Sequence, residues 1–152
     1  MNMELEMYRK AVKFIEQRYP EGWGGAAVIH TADDQYLISV ALESCNSGVV
    51  VCIETGAMCE AQKYNAKVTH CLCVVRDNEN SSFKVLSPCG VCQERLRYWG
   101  GEVKVGVTTK DNTLKFVPLK ELQPYHWTGA YPAKELEHYI EGNFEIANRL
   151  LL

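Results

Sequence analysis

No apolar stretch in this 152-residue chain approaches the ~20 residues that a membrane-spanning helix needs. Basic residues are not in excess. Sixteen Lys and Arg stand against 19 Asp and Glu, a formal charge of −3, so no general cationic field draws the chain onto nucleic acid. Repeats, low-complexity tracts and linkers are also lacking, which predicts a single domain over 1–152. The opening MNMELEMYRK puts Glu4, Glu6, Arg9 and Lys10 where a secretory signal would carry its apolar core, and the expectation is a cytoplasmic protein.

Cysteine is present in odd number. Seven of them without secretory context argue against a disulfide framework and for thiol or metal chemistry. The periodicity shows where they fall. Leu5, Tyr8, Val12, Ile15 and Tyr19 recur at helical spacing until Pro20 and EGWGG stop the pattern. GAAVIH and QYLISVAL, separated by TADD, read as a hairpin, and from about Ile53 to Ala66 the composition turns helical. VTHCLCVV is apolar on both faces, as a strand buried between helix layers would be. RDNENSSFK reads as a polar loop, CGVCQERLRYWG as a short helix, and EVKVGVTT and TLKFVPL as two strands around KDNT. A last helix is expected through Leu136, Tyr139, Ile140, Phe144, Ala147 and Leu151. The order predicts an α/β domain with one sheet of about five strands covered by helices.

Two segments carry chemistry. In SPCGVC, Cys89 and Cys92 lie three apart in the first turn of a helix, so both sulfurs can reach one ion. In VCIETGAMCE, Cys52 falls where strand-rich sequence gives way to helix, and helix N-termini favour thiolates. Three cysteines without an evident fourth ligand are the pattern of a catalytic zinc, which keeps a position open for water. Glu54, two residues beyond Cys52, can stand beside that water without binding the metal, where a proton shuttle belongs.

A ligand-x-Glu element followed by Pro-Cys-x-x-Cys resembles the signature of the zinc deaminases. CIETGA and SPCGVC are similar to the zinc motifs of the cytidine deaminase superfamily, and DNEN, VLSPCGVC and KELQPYHW most resemble its blasticidin-S deaminase branch. The resemblance runs from GGAAV to YHW. It implies a three-layer α/β/α fold, Zn²⁺ on Cys52, Cys89 and Cys92, catalytic Glu54, and a homotetramer with sites near subunit boundaries. It also implies that the backbone carbonyl of Ser87 meets the leaving amino group, and that Tyr125 and Trp127 wall a planar base. The same two rings could equally clasp neighbouring subunits. The reaction implied is hydrolytic deamination: zinc activates water, Glu54 takes its proton, and C4 of a cytosine ring is attacked.

Several positions depart from that family. Arginine is common after the catalytic glutamate and after the last zinc cysteine, but Thr55 and Gln93 stand there. Charge compensation for three thiolates must then come from helix N-termini and N–H to sulfur bonds, or from Arg95 or Arg97. Of the ribose-binding Asn-x-Glu, Glu43 is present but Ala41 replaces the asparagine. Glu43 reads either as a substrate ligand or as a solvated strand-end carboxylate. Cys71 and Cys73 read as core packing, Cys45 as a loop residue, and Cys59 as core filler near the same side as Cys52. His30, His70, His126 and His138 share no ligand spacing. The expected substrate is therefore a small cytosine-type nucleoside, blasticidin S or a related compound. Cytidine or deoxycytidine deamination is the alternative, and a non-catalytic zinc-stabilised binding module is a third reading that gives Glu54 no task.

Overall fold

The computed structural model describes residues 2–132. Elements run α1 (Met3–Arg18), β1 (Gly24–Thr31), β2 (Tyr36–Ser39), α2 (Thr55–Lys63), β3 (Val68–Arg76), β4 (Lys84–Leu86), α3 (Gly90–Leu96), β5 (Lys104–Gly106), β6 (Phe116–Pro118) and α4 (Leu119–Leu122). The helix expected through Leu136 to Leu151 lies outside the described residues.

The six strands form one sheet in the order β2-β1-β3-β5-β6, with β4 also paired to β3. β1 is antiparallel to β2 and β3, whereas β3 and β5 run parallel, which requires the crossover through α3. The expected five strands become six because Lys84–Leu86 pairs with Val75–Cys73. Three residues are too few to show a period of two, and the polar loop before them masked the strand.

β3 is central, as its two-sided apolar sequence implies. Its alternate residues feed two cores. Leu72 and Val74 meet Ala26, Val28 and the α1 residues Met7, Ala11 and Ile15, while Cys71 joins Ile29, Met58, Cys92 and Leu96 under α2 and α3. That is the three-layer α/β/α arrangement. α1 starts at Asn2, whose Oδ1 accepts from the Glu4 N–H at 2.9 Å. Its buried edge is Met7, Ala11 and Ile15, one turn apart, so the stripe lies slightly off the expected line and Leu5 is exposed. Burying side chains such as Met7 and Ile15 is worth roughly 1.5–3 kcal/mol each.

The second hairpin strand is shorter than QYLISVAL predicts. β2 ends at Ser39, and the chain returns to pairing only in an isolated bridge between Leu42 and Val51. The strands expected at EVKVGVTT and TLKFVPL likewise shrink to three residues each.

Candidate active site

Cys52 is delivered by a turn that the sheet grips from below. The Ser39 hydroxyl donates to the Ile53 carbonyl at 2.6 Å, and Gly56 lets the first turn of α2 settle on Ser39: a Cβ there would lie 2.9 Å from the Ser39 Cβ. Gly25 on β1 plays the same part for Ile53, since a Cβ at 25 would meet the Ile53 Cδ1 at 2.9 Å. With Ile53 seated on the sheet, Cys52 and Glu54 on either side of it point to one place. Glu54 is the N-cap of α2 and makes no side-chain capping bond. Its carboxylate is free to face inward and is only 5% exposed.

Cys89 arrives from the other side. β4 ends at Leu86, Ser87 is bonded in both directions to Thr108 (3.0 and 2.9 Å), and Cys89 is the N-cap of α3. Gln93 donates its Nε2 to the Pro88 carbonyl at 2.8 Å, closing the turn. One turn into α3, Cys92 is fully buried.

The three sulfurs converge within 4.8 Å of one another, with Cys52 and Cys89 at 3.5 Å. Sulfurs about 2.3 Å from a tetrahedral Zn²⁺ lie roughly 3.8 Å apart, so the donor set fits such an ion. Among the described residues no fourth cysteine, histidine or carboxylate joins the group. Cys59, expected as core filler, is instead exposed and outside it, while Cys71 and Cys73 are core residues as expected. The Glu54 Oε2 accepts from the Cys92 Sγ at 3.4 Å, so the carboxylate touches the cluster from its buried side.

Burial raises the Cys92 thiol, and the Glu54 charge raises it further; burial followed by the Cys89 contact raises Cys52. Cys89 goes the other way. Although burial opposes it, the backbone N–H groups of Cys92 and Val91 and the Cys52 thiol hold it below its ordinary value. N–H to sulfur bonds thus favour the Cys89 thiolate. The two arginines part company: Arg95 Nη1 donates to the Thr55 Oγ1 at 2.7 Å, spanning α2 and α3 beside the cluster, while Arg97 Nη1 turns to the Gln123 Oε1 at 3.3 Å.

The structure brings Cys52, Cys89, Cys92 and Glu54 together, with Ser87 two residues before Cys89, and leaves Glu43, Tyr125 and Trp127 apart. Glu43 is exposed just past the Leu42–Val51 bridge, and Ser87 is half-buried beside the thiols. Tyr125 is 96% exposed. Trp127 is 57% exposed, its Nε1 donating to the Glu94 Oε1 at 3.0 Å while the Glu94 Oε2 meets the His126 Nε2 at 2.8 Å. Glu94 is two residues past Cys92, about 200° around the helix, so Trp127 lies on the face of α3 turned away from the thiols. Sequence reasoning missed Glu94 and Thr108. Their partners are 33 and 21 residues away, and no local pattern marks such pairs.

No family model matches the chain, and no curated protein matches it. Among solved structures, the cytidine deaminase from Bacillus anthracis matches with a TM-score of 0.88 and 51% identity, covering 91% of this chain and 99% of that one. The cytidine deaminase from Mycobacterium leprae matches at TM-score 0.61 and 19% identity, covering 82% of this chain and 98% of its own. That from Burkholderia pseudomallei matches at 0.59 and 16%, covering 80% and 96%. The last two share the fold. The first shares half its residues over nearly the whole of both chains, and this protein belongs to the cytidine deaminases, a family of hydrolases.

Proposed function

We propose that the protein is a zinc-dependent aminohydrolase that converts the 4-amino group of a cytosine-type nucleoside to a carbonyl, consuming water and releasing ammonia. The observation that carries this is the buried Glu54 carboxylate against a cluster of three thiols, since a purely structural zinc site has no use for it. Cys52, Cys89 and Cys92 would hold Zn²⁺, which when bound supplies a Lewis acid that makes water nucleophilic near neutral pH. Glu54 does the proton work. Its carboxylate accepts a proton from the attacking water and delivers protons to ring N3 and to the departing amine, so the ring gains oxygen and loses ammonia without net redox change. The enclosed position keeps that carboxylate out of bulk water. The backbone at Ser87, steadied by Thr108, offers a carbonyl to the leaving amino group.

For the substrate, blasticidin S or another cytosine compound with a modified sugar is the preferred reading. Ala41 cannot make the sugar hydrogen bonds of an asparagine, and the exposed Glu43 is available to a cationic arm. Cytidine or deoxycytidine is the second reading, supported by the identity to the Bacillus anthracis enzyme. Specificity constants for cytidine, deoxycytidine, cytosine and blasticidin S, followed by ultraviolet loss of the 4-amino chromophore, decide between them. A clear preference for cytidine removes the first reading; no turnover of any of the four by zinc-loaded protein removes both.

The single domain, the cytoplasmic location and the homotetramer are parts of the same proposal. Among the described residues no helix is long and apolar enough to cross a membrane. Trp127 lies on the face of α3 turned away from its own thiols, and the Tyr125 ring is bare. If they serve a substrate, they serve that of a neighbouring copy, as sites near subunit boundaries require.

A further inference from the structure

At the far end of α3 from the three thiols, a cavity of about 610 Å³ opens beside the first residues of β3 and β5. Four cationic side chains line it, Lys67, Arg97, Lys104 and Lys120, against one carboxylate, Glu102. Glu102 is already paired with Lys120. The surplus of three positive charges is gathered on a chain whose net charge is −3. Among the described residues Lys67, Arg97 and Lys104 form no close ion pair, although the Arg97 charge reaches Glu94 and the Lys104 charge reaches Glu102, and the one side-chain hydrogen bond of Arg97 is to the neutral Gln123 amide. Its Nε is buried and has no hydrogen-bond partner among them. A buried guanidinium N–H left unmatched calls for a ligand or water. Gly101 adds to the cradle, since a Cβ there would lie 3.0 Å from Arg97 Nη1, so the guanidinium rests directly on backbone.

We infer that this cavity binds a polyphosphate group carried by a small molecule. A guanidinium that lines one cavity with two lysines in no close ion pair matches several negatively charged oxygens better than one carboxylate, and arginine grips phosphate oxygens in pairs. The limited size of this concave, half-open pocket and the acidic remainder of the surface favour a compact ligand over a nucleic acid strand. The site is separate from the thiols, for α3 carries Cys89 at its N-cap and Arg97 at its C-cap.

His70 also lines the cavity and gives it a reporter. Burial, then His30, then Lys104 lower its pKa to about 4. The groups facing it are Glu4 of α1 at 4.0 Å, His30 of β1, Phe116 of β6 and Lys104 of β5. A bound polyanion offsets Lys104 and favours the imidazolium, so occupancy raises that pKa toward its ordinary value.

The test uses the zinc-loaded full chain, with pyrophosphate as probe in calorimetry and in an NMR titration of His70. Expected are saturable binding that weakens with salt, a rise in the His70 titration midpoint, and about tenfold weaker binding in both Lys67→Gln and Lys104→Gln. Each variant alters a side chain at the cavity rim, so loss of fold in one leaves the other informative. ATP binding tighter than pyrophosphate identifies a nucleotide as the source, and equal affinity a free polyphosphate. Absence of saturable binding, binding indifferent to both variants, an unmoved His70, or binding of single-stranded RNA without pyrophosphate overturns the inference.

Discussion

Two segments lead the chain to its thiols, and they are built differently. Residues 84–92 reach Cys89 through a strand paired to the centre of the sheet, reciprocal bonds between Ser87 and Thr108, and the Gln93 side chain closing on Pro88. Residues 40–51 reach Cys52 through one isolated bridge and a short 3₁₀ turn at Ser47–Val49, and Leu42, Val49 and Val50 are all exposed. The arm that fixes two sulfurs is bonded to the core. The arm that carries Ala41 and Glu43 has few tethers until Ile53 is caught by Ser39. Metal geometry tolerates little error, whereas substrate choice is adjusted by loops that can vary without disturbing it.

The largest effect should come from removing the point where both arms meet. Cys89→Ala and Cys52→Ala should each lose zinc and turnover, while Cys59→Ala keeps about one zinc per chain by metal analysis; the reverse result would redraw the cluster. Chelation should also sharpen the contrast between the arms. Without metal, amide exchange should speed up over 40–51 more than over 84–92, because only the second keeps its sheet bonds. Equal acceleration would mean that the metal holds both.

Glu54→Gln comes next. It should keep the fold and the metal yet lose about 10²–10⁴-fold in kcat, and near-normal turnover would remove Glu54 from the chemistry. A smaller effect separates the arms by stability. Thr108→Val leaves the Ser87 N–H and the Val85 carbonyl without their Thr108 hydroxyl partner and should cost about 1–3 kcal/mol, read as a lower denaturation midpoint. Leu42→Ala, on the exposed arm, should stay within about 0.5 kcal/mol of the parent. The smallest expected change is in preference: Ala41→Asn should raise kcat/KM for cytidine relative to blasticidin S by about 2–10-fold, the worth of one hydrogen bond. An unchanged ratio would place ribose recognition elsewhere.

What could be read from the chain beforehand follows the range of each interaction. Cys89 and Cys92 are related by one helical turn, and Glu54 by two positions to Cys52, so local spacing exposes the chemistry. The central place of β3 was legible because both its faces are apolar. β4 was not, because a three-residue strand is defined by its partner and not by its own pattern. Sequence left the charge problem open between helix N-termini with N–H to sulfur bonds and Arg95 or Arg97, and only the helix packing shows that Arg95 spans to Thr55. The Glu94 clamp on His126 and Trp127, more than thirty residues away, left no trace in any window.

The close seating of Ile53 against Gly25 also turns the protein into its own optical gauge. The Trp23 indole occupies the same patch, 3.0 Å from where a Gly25 Cβ would stand, and its ring meets Tyr19 edge-on at 6.2 Å. Both side chains close on the same point above Gly25, so a shift of Ile53 should change the surroundings, and with them the emission, of that indole. Since Ile53 lies between Cys52 and Glu54 in the chain, metal loading should change the Trp23 emission, read in a variant with Trp99 and Trp127 replaced by phenylalanine.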